Sequence, residues 1–141
     1  NYNLIPLSQT EVLNMIVYHC SLSSIEKFVY AENGVHFGGK NSAIEAALRK
    51  TLSGKETLFL HKCKLNSERF FDCDDQGNHS EWIKIIKQSI TDGYNTIRYI
   101  NKYEPDSKPS YIVLDSKEIE IMSVSRIKAS DAEREILDFY Y

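Results

Sequence analysis

Cysteine is scarce in this chain of 141 residues: Cys20, Cys63 and Cys73 are the only three. So small and odd a number excludes a disulfide framework and makes a reduced, cytoplasmic chain the expectation, native or delivered into a target cell. No apolar run approaches the ~20 residues of a membrane span, so no membrane partner is expected. The opening NYNLIPLSQTEV has neither the basic end nor the apolar stretch of a signal peptide. A basic excess is missing too, with 17 Lys+Arg against 20 Asp+Glu and a net charge of −3. A dedicated duplex-DNA binder gains its affinity from many phosphate contacts, so no duplex-DNA specificity is expected. What the chain does have is 42% hydrophobic and 26% charged residues without low complexity. That composition reads as one globular domain over residues 1–141, long enough to build a core without metal or disulfide.

The pattern along the chain mixes helices and strands early and clusters strands late, which points to an α+β fold with a split sheet. Ser8 with Glu11 has capping-box spacing and opens a short helix before the strand-like Met15–His19. Ser21–Phe28 reads as a second short helix, and Val35–Phe37 as a compact strand. Ser42 with Glu45 caps a small-residue helix running to about Leu52. Thr57–Leu65 alternates as a strand, and Arg69–Cys73 is extended. From Ser80, the stripe Trp82, Ile83, Ile86 and Ile90 marks an amphipathic helix stopped by Asp92-Gly93. Tyr94–Ile100, Ser110–Leu114 and Glu118–Val124 read as strands, and Ser130 with Glu133 starts a closing helix that ends in Phe139-Tyr140-Tyr141.

Several residues carry chemistry. His19 and Cys20 are neighbours on a strand, so they point to opposite faces and cannot form a nucleophile–base dyad. His61-x-Cys63 with Cys73 and His79 gives H-x-C…C-x5-H. Zinc sites space the first pair by two to four residues, so no metal is expected there. Gly38-Gly39-Lys40 is no Walker loop, yet two glycines before a helix let backbone approach a ligand. The helix start would favour a phosphate or a carboxamide. Glu104, in Asn101-Lys102-Tyr103-Glu104, is a single carboxylate at a loop mouth, suited to electrostatic catalysis or a ribose hydrogen bond.

Three blocks in order give the chain a resemblance to the ADP-ribosyltransferase superfamily, the branch of poly(ADP-ribose) polymerases, diphtheria-type toxins and small phage or bacterial transferase-like domains. Tyr18-His19-Cys20-Ser21 is similar to Y-H-G-[ST]. Gly34-Val35-His36-Phe37-Gly38, with Ser42-Ala43 beyond, is similar to G-[IV]-Y-F-[AG]…S-A. Asp92-Gly93-Tyr94 through Asn101-x-x-Glu104 to Ser110-Tyr111-Ile112-Val113-Leu114-Asp115 looks like G-Y-D-G-I…N-x-x-E…[ES]-Y-I-V-[FY]-D. The resemblance spans about residues 18–122. It implies a split antiparallel-rich sheet with flanking helices around NAD⁺, which is substrate rather than resident cofactor. The implied activity is mono-ADP-ribosyl transfer to an unidentified protein or nucleic-acid acceptor, with release of nicotinamide.

By that resemblance His19 would hydrogen-bond an NAD⁺ ribose, and the Cys20 backbone would hold the nicotinamide carboxamide beside Ser21. Phe37 or Tyr30 would wall the ring, and Ser42 would donate to its amide. His36 stands where the family stacks a Tyr. Ser110 stands where the family keeps its catalytic Glu, and Glu104 is the substitute carboxylate. Acceptor choice would fall to the loops Asp72–His79 and Lys102–Pro109. Two other readings stand beside this one. The same fold can bind a nucleotide, nucleic acid or protein without chemistry, or serve as an interaction domain through its nine tyrosines and aromatic tail.

Overall fold

The computed structural model describes residues 15–29, 34–101 and 108–140. The order is β1 (Met15–Ser21), β2 (His36–Phe37), α1 (Lys40–Leu48), β3 (Thr57–Leu65), β4 (Phe70–Asp72), α2 (His79–Thr91), β5 (Thr96–Ile100), β6 (Pro109–Val113), a 3-10 turn (Ser116–Glu118), β7 (Ile119–Lys128) and α3 (Ala129–Tyr140). The fold is mixed α+β, as the patterning implies. Its strands make two sheets, β1-β3-β7 and β2-β6-β5-β4, antiparallel except for the β4–β5 pair.

One pair of backbone bonds joins the two sheets. Tyr18 N–H donates to Gly38 O at 2.8 Å, and Gly38 N–H donates to Tyr18 O at 2.9 Å. Beyond this bridge the strands part, and His19–Ser21 run away from Gly34–Phe37 without a ladder between them. The split sheet is therefore a local event with a known hinge point.

Alternation decides what each face carries. Val17, Cys63, Leu65, Phe37 and Tyr111 share a cluster closed by Phe28. The opposite face of β1 and β3 buries Cys20, Leu58 and Leu60 against Ala43, Ile44 and Ala47 of α1 and Ala129, Ala132 and Ile136 of α3. Small residues on both helices let them lie close to the strands and to each other. On the second sheet Trp82 and Ile86 of α2 cover Ile97, Tyr99 and Ile112.

Several expectations change. The small-residue helix stops at Leu48 rather than about Leu52, and the closing helix begins at Ala129, before the Ser130–Glu133 pair expected to start it. Ser21–Phe28 is not helical: Ser21 Oγ donates to Ser23 O at 2.6 Å, and Ile25 N–H donates to His61 Nε2 at 2.9 Å. A local hydroxyl bond and a distant imidazole compete successfully with the helix ladder. α1 starts two residues before Ser42, from Gly39 as N-cap with no side-chain cap, so the Ser42–Glu45 box is not used. α2 is capped by Asn78, whose side chain accepts from Glu81 N–H, rather than by Ser80. Ile90, assigned to its apolar stripe, is 44% exposed, while Ser89 is buried. The Asp92-Gly93 stop holds: Gly93 has φ 83°, and Gly93 N–H and Tyr94 N–H return to Ile90 O and Ser89 O. No helix among the described residues is long and apolar enough to cross a membrane. The expected helix at Ser8, together with Tyr30, Glu104 and the side chains of the aromatic tail, lies outside the described residues.

Candidate functional site

Where β1 and β2 part there is a cavity of about 590 Å³. Its wall includes His19, Cys20, His36, Phe37, Ser42 and Ser110, six of the residues singled out from the sequence. Ser21 is not among the lining residues, and its hydroxyl is turned to Ser23 O.

His19 fills the gap that the missing ladder leaves. Its Nδ1 lies 2.8 Å from His36 O across the split, and since a carbonyl only accepts, Nδ1 carries the proton. Nε2 is then a lone-pair acceptor, with no hydrogen bond to another described residue. Burial lowers the His19 pKa below its ordinary 6.5; the bond to His36 O opposes this, and the nearby His61 and Lys50 add to it. A neutral ring that accepts through Nε2 suits a ligand hydroxyl.

A second histidine holds the first. His61 is fully buried, with Nδ1 3.1 Å from His19 O and Nε2 accepting from Ile25 N–H. It packs with Phe28, which in turn meets the edges of His19 and Phe37 at 5.3 and 4.9 Å between ring centres. From the sequence His61 figured only in a poorly spaced zinc pattern and on one face of a half-buried strand. The structure uses it to tie Ile25–Phe28 over the cavity, a role whose partners lie 42 and 36 residues away in sequence. Among the described residues no three His, Cys, Asp or Glu side chains gather as a metal site.

His36 and Phe37 divide two roles by alternation. Phe37 contacts His19 at 5.6 Å between ring centres. His36 turns to the other face, where Nδ1 lies 2.6 Å from Tyr99 Oη and Trp82 and Tyr99 meet its ring edge-on. Phe37 and Phe28, at 5.6 and 5.3 Å between ring centres, are therefore the aromatic walls beside His19 in the cavity.

Backbone geometry gives Cys20 a distinct position. Successive N–H and C=O pairs point to alternate sides of a strand. Tyr18 bonds Gly38, so the N–H and C=O of Cys20, two residues on, point toward the place β2 has left. A donor and an acceptor side by side match a carboxamide. The Cys20 thiol packs against α1 and is pushed by burial to about 11, so it is no nucleophile at neutral pH.

Charge around the cavity is one-sided. Lys27, Arg49 and Lys50 line it, with no Asp or Glu among the described lining residues. Among the described residues no ion pair neutralises these three cations. In an acidic chain this is a concentration of positive charge that the composition hides, since Lys27 comes from a segment well before the Arg49-Lys50 pair. Ser42 and Ala46 lie on one face of α1, and Arg49 and Lys50 follow directly after its last residue, so the basic end is reached along small side chains. The chain matches no protein-family model and no curated protein.

Proposed function

We propose that the cleft binds NAD⁺ and that the protein is a mono-ADP-ribosyltransferase, with an ADP-ribosyltransferase-like fold around the split sheet. The observation that carries this reading is the open strand edge at Cys20. It offers a carboxamide donor and acceptor beside an aromatic wall, Phe37, and a neutral acceptor nitrogen, His19 Nε2. The cations Lys27, Arg49 and Lys50 supply the charge that a dinucleotide diphosphate requires.

In this reading His19 orients a ribose hydroxyl, and Ser42 and Ser110 add polar contacts, with His36 behind them. Cleavage of the nicotinamide–ribose bond builds positive charge on the ribose, which a carboxylate stabilises. Ser110 cannot do so, and Glu104 is the group assigned to it. Asn101 and Ser110, the described residues nearest Glu104 on either side that border the cavity, support the assignment. The acceptor is a protein or nucleic acid.

The test is incubation of labelled NAD⁺ with the chain and a lysate, reading label transfer and nicotinamide release. Glu104→Gln is expected to abolish release and keep the fold. Equal turnover by variant and parent would remove Glu104 from the mechanism. The second reading, a binding module without chemistry, is favoured by Ser110 standing where a carboxylate belongs. It predicts that NAD⁺ raises the melting temperature while no nicotinamide appears under any condition.

A further inference from the structure

The start of α1 and the Ser110 side chain meet at one edge of the cavity. Gly39, the N-cap, is extended and makes no side-chain capping bond, and no acidic residue occupies the first turn. The first amide to find an acceptor inside the helix is that of Ala43, on Gly39 O at 3.0 Å. The amides of Lys40 and Asn41 therefore have no intrahelical acceptor, and the helix start carries uncompensated positive potential.

A second observation points to the same spot. Ser110 is only 4% exposed, it lines the cavity, and its hydroxyl has no hydrogen-bond partner among the described residues. Buried hydroxyls are almost always paired, so an unpaired one facing a cavity marks a place kept for a ligand. Its Oγ lies over Gly38, immediately before the N-cap. A β-carbon on Gly38 would stand 3.1 Å from Ser110 Oγ and 3.7 Å from Ser42 Cβ. Glycine keeps open a space about the size of one oxygen atom, walled by a hydroxyl and a helix start.

We propose that the N-terminus of α1, with Gly38 and Ser110, is an oxyanion site that takes a phosphoryl group. A tetrahedral phosphoryl can present separate oxygens to the Ser110 hydroxyl and to the Lys40 and Asn41 amides at once, and its charge is met by the cavity's cations. A planar carboxylate presents fewer oxygens, and a neutral carboxamide leaves the helix potential unused. The phosphoryl group belongs either to the nucleotide in the cleft or to a second phosphorylated molecule beside it. The inference does not require NAD⁺ turnover.

Backbone amide NMR on the full chain tests it, with inorganic phosphate, pyrophosphate, NAD⁺, acetate and nicotinamide as probes. Phosphate and pyrophosphate are expected to shift the Lys40 and Asn41 amides saturably, more strongly than acetate. Ser110→Ala should weaken that binding about tenfold, the share of one charge-assisted hydrogen bond. Gly38→Ala, which fills the space instead of removing the donor, should weaken it as well. If saturating NAD⁺ displaces phosphate from these amides, the group is the nucleotide's own; if both bind together, it is a second molecule's. Equal shifts with acetate, or full binding by Ser110→Ala, would overturn the proposal. Nicotinamide shifting the Cys20 amide while phosphate leaves α1 untouched would overturn it and leave the NAD⁺ reading standing. Phosphate binding without nicotinamide release would do the reverse.

Discussion

Replacing His61 by Phe removes two hydrogen bonds while keeping a ring of similar size, which separates the polar role of this residue from its packing. His61 is fully buried, so no water can substitute for the lost nitrogens. Ile25 N–H, now 2.9 Å from Nε2, would lose its acceptor; an orphaned buried amide costs about 1–3 kcal/mol. The bond from Nδ1 to His19 O at 3.1 Å contributes about 1 kcal/mol more. The phenyl ring is larger than the imidazole, so no cavity term arises, and the expected loss from the polar groups is about 2–4 kcal/mol. At about 3 °C per kcal/mol for a chain of this length, the melting temperature should fall by about 6–12 °C. Circular dichroism melting gives the global effect, and hydrogen exchange at the Ile25 amide gives the local one. His61→Gln, which can both donate and accept, should recover part of each. A melting point within about 2 °C of the parent, with Ile25 exchange unchanged, would refute the reasoning and reduce His61 to a filler of space.

Gly34 has φ 80°, and a β-carbon there would stand 2.5 Å from Ile112 Cγ2 and 3.0 Å from Ile86 Cδ1. Gly34→Ala should therefore cost about 2–4 kcal/mol from backbone strain and overpacking, read by denaturant unfolding. A loss below about 1 kcal/mol would contradict the left-handed geometry at this turn. The His19 pKa lies below its ordinary 6.5, so the unfolded chain binds the proton more readily. Stability present above pH 6.5 should then be lost as pH falls through the folded value, and His19→Gln should flatten that dependence; identical pH profiles for parent and variant would argue against a desolvated ring. Burial pushes the thiols of Cys20, Cys63 and Cys73 to about 11, 12 and 11. Alkylation of Cys20 and Cys63, both buried, should be far slower at pH 8 in the folded chain than after unfolding, with half-buried Cys73 reacting first, and rapid modification of Cys20 or Cys63 would show an access path the fold does not provide.

Where one chain segment decided its own structure, the sequence was legible. Thr57–Leu65 alternates cleanly and is a strand with those bounds, and Asp92-Gly93 stops α2 because glycine takes the left-handed turn. Ser21–Phe28 misled because its competitor is not local: Ile25 bonds a histidine 36 residues on. The cap of α1 misled for a related reason, since Gly38 is committed to Tyr18 across the split and the chain turns into the helix directly after it. Of the site, His19, Phe37, Ser42 and Ser110 could be named from motif-like blocks. His61 and the cations Lys27, Arg49 and Lys50 could not, because nothing in their spacing announces that three separate segments meet at one cavity.

Opening a sheet between two strands is costly, because each abandoned ladder position leaves a donor and an acceptor without a partner. A fold keeps such a gap only if something else holds it. Here the His19 ring spans it to His36 O, and His61 fixes the strand behind His19. The two imidazoles thus act as props as well as walls. This bears on how any His19 substitution is read. Removing the ring deletes the acceptor Nε2 and the prop through Nδ1 together, and the strands could then close and pair Cys20 with β2. Loss of ligand binding in His19→Ala would have both causes mixed. Exchange at the Cys20 amide separates them: an amide that becomes protected in the variant reports closure of the split, whereas one that stays exposed, with binding lost, assigns the effect to the missing nitrogen.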